Sequence, residues 1–136
     1  MGNVQLSSYI NFRGQAREAM QFYQKVLGGN LDLQTLDQQG QAKPAGPGDT
    51  IMYSRLQVDG AQIVGVDGHP DYPPKVGENM ALALSGTDKE RITQLFNGLA
   101  EGGRIKMPLT AQPWGGEAGW LMDKFGINWT VSVDKA

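Results

Sequence analysis

The sequence predicts an α+β fold made of two tandem βαβββ modules. Three observations support it. An amphipathic helix pattern that ends in Gly-Gly occurs twice, a short strand pattern precedes each helix, and three strand patterns follow each Gly-Gly pair. Neither module has enough apolar residues for a complete core, so we expect the two sheets to join as one curved mixed sheet around a cavity. The 136 residues are thus predicted to form a single domain, with module one at 4–67, a linker at 68–78 and module two at 79–134.

Module one opens with a predicted strand over residues 7–12. From Ala16 to Leu27 the apolar side chains recur at the spacing of one helical face, and charged or amide side chains occupy the other face. Gly28-Gly29 follows, where a helix commonly ends in a left-handed residue. These signals predict a strand and then a helix that covers one face of the sheet.

The rest of module one reads as three strands and one loop. Alternating residues predict a strand over 31–36, and the polar stretch 38–49, rich in Gly and Pro, predicts a mobile loop. Strands are predicted over 50–58 and 61–66. Only Asp59-Gly60 separates them, which is a strong hairpin signal.

Module two repeats this order. A strand is predicted over 79–85, and Thr87 to Glu90 has the spacing of a capping box, with the Thr87 hydroxyl accepting from the Glu90 amide. The apolar helical face that follows ends at Gly102-Gly103. Three strands are then predicted over 104–109, 119–122 and 127–133.

Composition limits the chemistry. The chain has no Cys and one His, so a zinc, iron or nickel site would depend on carboxylates, and no cofactor is expected. A net charge of −2 with scattered basic residues argues against a nucleic-acid partner. The sequence contains neither an apolar run long enough for a membrane span nor a signal-peptide pattern. A cytoplasmic protein without a membrane partner is therefore the expectation.

Two stretches resemble the PhnB-like branch of the glyoxalase/bleomycin resistance/dioxygenase (vicinal oxygen chelate) superfamily. They are Tyr9-Ile10-Asn11-Phe12-Arg13-Gly14 with Glu18-Ala19, Phe22-Tyr23 and Gly28-Gly29, and Leu99 to Gly103 with Met107-Pro108-Leu109, Trp114-Gly115, Gly119 and Asp123 to Trp129. The resemblance implies the glyoxalase-like fold. Members of this branch often carry a 3-demethylubiquinone 3-methyltransferase-like label. The chain has no Gly-rich strand-to-helix turn of the kind that would hold a methyl donor.

The resemblance also implies where a metal would bind. Enzymes of the superfamily typically hold a divalent metal through His and Glu residues on the first and last strands of the modules. Counted from the Phe-Tyr pair of the first helix and from the turn glycines, the corresponding positions are Ser8, Val64, Met80 and Thr130. None is a normal ligand for zinc, nickel or iron, and a shift of one residue would offer only Asn79. We therefore expect no metal of the usual type.

What remains is a cavity for an unidentified small molecule. Tyr53 and Arg55 share one face of their strand, and Arg55 would bind an anion if that face lines the cavity, although it would only be solvated on the outer face. Trp114 is either a lid over the cavity mouth or a packing contact. The residues predicted to line the cavity are Ser8, Ile10, Tyr53 (or Met52), Arg55, Met80, Leu82, Trp114, Trp120 (or Leu121), Asn128 and Thr130.

Three other side chains are given mainly structural interpretations. His69 stands between Asp67 and Asp71, but in an exposed linker it is more simply a solvated side chain. Asp123 is predicted to accept hydrogen bonds from turn amides. Trp129, which flanks Thr130 on the opposite side of its strand, is predicted to pack under a helix.

Three functions fit these features. The first is a metal-free small-molecule-binding protein, the second a metal-dependent lyase or dioxygenase with displaced ligands, and the third an oligomerising protein with a vestigial cavity. Exposed sheet edges favour a homodimer. The linker is long enough to permit an exchange of modules but does not require one.

Overall fold

The computed structural model of the chain describes residues 7–68, 71, 74–75, 77, 79–113 and 115–135. The chain divides into two compact units, Met1–Lys75 (unit one) and Val76–Ala136 (unit two). Neither helix in the described part of the chain is long and apolar enough to cross a membrane.

Unit one is a five-stranded sheet that carries one helix. Its strands, in the order β1-β5-β4-β2-β3, pair antiparallel except for the parallel pair β1 and β5. The helix α1 buries the apolar face that the sequence predicted, including Met20 and Tyr23. In chain order the elements are β1 (Ser8–Asn11), α1 (Ala16–Leu27), β2 (Asn30–Leu36), β3 (Ala42–Pro44), β4 (Tyr53–Val58) and β5 (Ala61–Val66).

Unit two has the same plan without the extra strand. Its order is β6-β9-β8-β7, and the outer pair β6 and β9 is again the parallel one. Helix α2 buries Ile92, Leu95, Phe96 and Leu99. The elements are β6 (Leu82–Gly86), α2 (Lys89–Ala100), β7 (Arg104–Gln112), β8 (Gly116–Met122) and β9 (Asn128–Val133). The predicted α+β class and duplicated element order are confirmed.

Both Gly-Gly pairs stand where the chain passes from its helix to the next strand. Gly28 and Gly102 both have a positive φ, at 79° and 76°, which glycine adopts without steric cost. A Cβ on the second glycine of each pair would overlap a backbone carbonyl oxygen, that of Gln57 in unit one and that of Met122 in unit two. Each pair thus lets the chain leave its helix and pass close to a central strand.

Two local features were predicted wrongly, and the bounds of β4, β6, β7 and β8 each differ from the predicted ones by three residues at one end. The stretch 38–49 is not all loop, because Ala42–Pro44 pairs with β2 as β3, after a turn in which Asp37 Oδ1 accepts the amides of Gln39 and Gln41 at 2.8 and 2.9 Å. The N-cap of α2 is Asp88, not Thr87. Its side chain accepts from the Arg91 amide at 3.1 Å. A carboxylate caps a helix at least as well as a hydroxyl does, so the neighbouring Asp took the position.

Candidate functional site

The strand register assigns each side chain of the unit-one sheet to one of its two faces. Ser54 and Leu56 are fully buried on the helix side, whereas Tyr53 and Arg55 are exposed on the opposite side, which we call the open face. Arg55 lies opposite Val64, and Val64 lies opposite Tyr9. Directly paired residues share a face, so Tyr9, Val64 and Arg55 form one row across the open face. Tyr53 and Arg55 thus lie on the face of the sheet opposite α1.

The same register separates two predicted cavity residues from the others. Ser8 and Ile10 pair with Ile63 and Gly65, and a Cβ on Gly65 would lie against Met20 of α1, so this is the helix side. Ser8 and Ile10 are therefore not brought together with Tyr53 and Arg55. Side chains alternate along a strand, so Tyr9 lies on the open face while its neighbours Ser8 and Ile10 lie on the helix side.

The unit-two sheet has an open face of its own, opposite α2. Trp120 pairs with Thr130, which pairs with Ala83. Thr130 is exposed, and Trp120 is 43% exposed. Leu82 pairs with the buried Trp129 and so lies on the helix side.

Asn128 and Met80, both predicted to line the cavity, are in contact at the first residue of β9. Asn128 is buried, its Oδ1 accepts from Lys106 Nζ at 3.2 Å, and its Nδ2 donates to the Met80 carbonyl at 3.5 Å. The Met80 side chain itself is 78% exposed. Trp114 and His69 lie outside the described residues.

The two structural predictions made for the last turn are confirmed. Asp123 Oδ1 accepts the amides of Phe125 and Ile127 at 2.9 and 3.1 Å. Trp129 lies on the helix side of the sheet and is 3% exposed.

Glu117 of β8 forms a 2.8 Å ion pair with Lys89 of α2. The hydrogen bond and the opposite charge of Glu117 raise the pKa of the Lys89 ammonium.

A pocket of about 750 Å³ opens in unit one where the parallel strands β1 and β5 end. The sequence did not predict it, because its walls come from separate segments of the chain. They are the end of β1 with the following turn, the loop before β4, the end of β5 with the two residues after it, and Pro74. The lining residues are Tyr9, Asn11, Arg13, Gly14, Gly48, Asp49, Thr50, Met52, Val66, Asp67, Gly68 and Pro74.

Asp67 holds two of these segments together. Its Oδ1 accepts the Ala16 amide at the start of α1 at 2.9 Å, and its Oδ2 accepts the Ile51 amide at 2.6 Å. Its backbone also accepts from Gly14 at 3.0 Å. A carboxylate that accepts two backbone amides is a strong local tie, so Asp67 fixes the pocket wall.

The turn after β1 has an unusual backbone. Arg13 is the one non-glycine residue with a positive φ, 53°, among the described residues. Asn11 Oδ1 accepts the Arg13 amide at 2.9 Å and stabilises this conformation. The left-handed region is disfavoured for a residue with a Cβ, and the turn therefore stores a small strain at the pocket.

Arg17 of α1 anchors the loop on the other side of the pocket. Its Nη2 donates to the carbonyls of Gly46 and Asp49 at 2.6 and 3.1 Å. Asp49 Oδ2 in turn accepts the Gly46 amide at 2.8 Å. The loop end that lines the pocket is thus fixed to the helix.

The residues do not fit the divalent metal that this kind of fold commonly holds. Ser8, Val64, Met80 and Thr130 offer no imidazole and no carboxylate, and a thioether or a neutral hydroxyl cannot replace them for zinc or iron. Among the described residues, no three His, Asp or Glu side chains come close enough together to hold an ion.

The repeated strand order is that of the glyoxalase/bleomycin resistance fold. A member of the glyoxalase/bleomycin resistance protein/dioxygenase superfamily from Sphaerobacter thermophilus matches with a TM-score of 0.55 and 20% identity, over 95% of this chain and 97% of that one. The model of the 3-demethylubiquinone-9 3-methyltransferase family matches residues 4–132. The chain belongs to this PhnB-like family.

Nearer relatives cover both chains almost completely. Protein PA1353 from Pseudomonas aeruginosa is 34% identical, with a TM-score of 0.84 over 98% of this chain and 100% of that one. A PhnB protein from Bacillus cereus, described as a putative 3-demethylubiquinone-9 3-methyltransferase, is 26% identical, with a TM-score of 0.74 over 95% and 98%. Protein YjdN from Escherichia coli is 26% identical over 141 residues, covering 96% of this chain and 95% of the relative.

Proposed function

We propose that the chain is a small-molecule-binding protein that holds its ligand in the unit-one pocket and uses no metal ion. The observation that carries the proposal is the pocket itself. Its volume of about 750 Å³ lies within the range of about 300–1,000 Å³ typical of ligand sites. Apolar surfaces from Tyr9, Met52 and Val66 adjoin a few polar groups there, as in most such sites.

Fixed walls support the same proposal. The Asp67 carboxylate bonds the start of α1 and the amide of Ile51. Arg17 bonds two carbonyls of the loop from Gly46 to Asp49. Asn11 bonds the backbone of the turn at Arg13. A pocket whose walls are held before the ligand arrives loses less entropy on binding. The tethered walls therefore favour binding.

We do not propose methyl transfer, although the family description names it. In the described residues the turn from β1 to α1 has one glycine, Gly14, and only the outer strand pair of each sheet is parallel. Sites that cradle a nucleotide-like methyl donor use a Gly-rich turn in a parallel sheet. Binding, with or without chemistry on the ligand, fits the pocket better.

The binding test uses thermal unfolding and native mass spectrometry of the full chain against a library of small organic molecules. A bound ligand raises the unfolding temperature by mass action. Thr50→Trp fills the pocket from an exposed position in its wall, and Thr110→Trp makes the same change on an exposed strand of unit two. We expect hits that Thr50→Trp abolishes and Thr110→Trp retains. Hits that are equal in both variants, or no hits at all, would contradict the proposal.

We further propose that the protein is a homodimer in solution. Large apolar side chains outside the pocket are exposed on the surface of a single chain, among them Met80 at 78%, Leu36 at 46% and Trp120 at 43%. Burying such surface favours association. Light scattering at micromolar concentration should give twice the 14.7 kDa of one chain, and a mass near 14.7 kDa would reject the dimer.

A further inference from the structure

We infer that the unit-one pocket is selective for an organic anion, with the Arg13 guanidinium binding the acidic group and the ring of Tyr9 contacting the apolar body. The inference rests on the proposed function, since it specifies the ligand class of the same pocket. Three observations carry it.

The first observation is that Arg13 has no charged partner among the residues that the structure describes. Arg13 lines the pocket, and no carboxylate of the described residues lies within ion-pair distance of its guanidinium. Nearby donors are also available: the amide nitrogen of Asn11 and the hydroxyl of Thr50 have no hydrogen-bond partner in the described part of the chain. An arginine with neighbouring neutral donors matches the acceptor oxygens of a carboxylate or a phosphonate.

The second observation is that the pocket's two carboxylates are already engaged. Both oxygens of Asp67 accept backbone amides, from Ala16 and Ile51, and Asp49 accepts the Gly46 amide. Both oxygens of Asp67 and one oxygen of Asp49 are thus directed at backbone amides. A cationic ligand, the alternative suggested by two negative charges, would have to compete with these amides.

The third observation is the backbone of Arg13. A φ of 53° is normally occupied by glycine or asparagine, and glycine follows directly at position 14. An arginine that keeps this strained conformation beside a pocket points to a use for its side chain, because strain of this kind is retained where function requires it.

The ligand class follows from the apolar neighbours. Tyr9 is 68% exposed and Met52 is 46% exposed, and both line the pocket. An inorganic ion would leave these surfaces in water. An anion attached to an aromatic or aliphatic body would cover them and gain the free energy of apolar burial.

The experiment uses two fluorescent probes that share an aromatic body. These are 8-anilinonaphthalene-1-sulfonate, which is an anion, and N-phenyl-1-naphthylamine, which lacks the sulfonate. Each is titrated into the full chain, the Arg13→Gln variant and the Arg55→Gln variant. Gln at position 13 keeps a polar side chain and the same φ penalty, and it removes the positive charge together with the guanidinium donors. Arg55 is an exposed arginine on the open face of the same sheet that does not line the pocket, so it is the matched control.

We expect Arg13→Gln to weaken binding of the anionic probe at least about tenfold, the lower end for one charge-assisted contact. The neutral probe and the Arg55→Gln titrations should be unchanged. Competition by benzoate and by phenylphosphonate then tells which acidic group is preferred. Suppose that both probes bind, that Thr50→Trp blocks them, and that Arg13→Gln leaves the affinity for both unchanged. The pocket then binds small molecules, but the anion inference fails. Probes that bind regardless of Thr50→Trp, or do not bind, overturn the proposed function as well.

Discussion

Trp129 donates a 2.9 Å hydrogen bond from its indole Nε1 to Asp123 Oδ2, and both residues are buried. The other oxygen of the carboxylate accepts two backbone amides of the turn that joins β8 to β9. One charged group thus shapes the turn and fixes the largest side chain under α2. Such a network is stable only when complete, because every donor that loses its partner remains desolvated.

Replacing Asp123 should therefore be costly. We expect Asp123→Ala to lower the free energy of unfolding by about 3 kcal/mol, since three donors lose their acceptor. Asp59 stands in the corresponding hairpin of unit one, where it is exposed, and Asp59→Ala should cost less than about 1 kcal/mol. Urea denaturation followed by tryptophan fluorescence measures both. Equal losses in the two variants would mean that the buried network adds nothing to stability.

The Gly-Gly pairs allow a test of close approach against backbone strain. Gly28 has a positive φ and open space around it, whereas a Cβ on Gly29 would overlap the Gln57 carbonyl oxygen. We expect Gly28→Ala to cost about 1–3 kcal/mol from the backbone alone, because φ 79° with ψ −161° is a conformation that essentially only glycine adopts. Gly29→Ala should cost at least about 1 kcal/mol more, because the strand must also move. Chemical denaturation measures the free energy of unfolding of both variants, and Gly29→Ala should be the less stable one. A less stable Gly28→Ala variant would show that the chain after α1 moves to accommodate a Cβ at position 29.

Arg13 should show a conflict between stability and binding. Glycine removes the left-handed penalty at φ 53°, and we expect Arg13→Gly to raise the free energy of unfolding by up to about 1 kcal/mol while it weakens binding of the anionic probe. Arg13→Gln should bind as weakly without the gain in stability. Calorimetry and probe titration of the two variants check this, and a destabilised Arg13→Gly variant would remove the strain argument.

The register of β1 predicts how a metal site could be built in unit one. Tyr9 and Val64 lie opposite each other on the open face, whereas Ser8 points to the other side. The double variant Tyr9→His with Val64→Glu should therefore bind Ni²⁺ at least about tenfold more tightly than Ser8→His with Val64→Glu, because only the first pair can reach one ion. Isothermal titration measures the difference. Tighter binding by the Ser8 variant would show that the strand is shifted by one residue.

Much of the fold followed from periodicity and breakers. Three local patterns predicted the structure correctly, because local preferences in this chain agree with the overall fold. They are the apolar face of α1 from Ala16 to Leu27, the Gly-Gly pairs and the Asp59-Gly60 hairpin. The strand β3 was missed because three exposed residues, Ala42–Pro44, carry no apolar alternation and form a strand only through pairing with β2. The cap of α2 was misplaced by one residue because Thr87 and Asp88 are both good caps.

The site was less predictable than the fold. The face of Ser8 depends on how many residues the turn after β1 uses, and no alternation pattern within a strand of four residues determines that. The pocket depends on Asp67, which meets α1 and Ile51 across 51 and 16 residues of chain. Local sequence patterns do not predict contacts between residues that are so far apart in the chain. The sequence indicated Arg55 as an anion-binding group on the condition that its face lines the cavity, and it did not indicate Arg13 for that role.

Chemical-shift mapping on the full chain tests most directly whether the unit-one pocket is the binding site. Amide spectra are recorded while the thermal-shift hits, or the anionic probe, are titrated in. We expect saturable shifts concentrated at Asn11, Arg13, Thr50 and Gly68, which line the pocket, and we expect Thr50→Trp to abolish them. Saturable shifts confined to other residues, with these four unmoved, would contradict the proposed site.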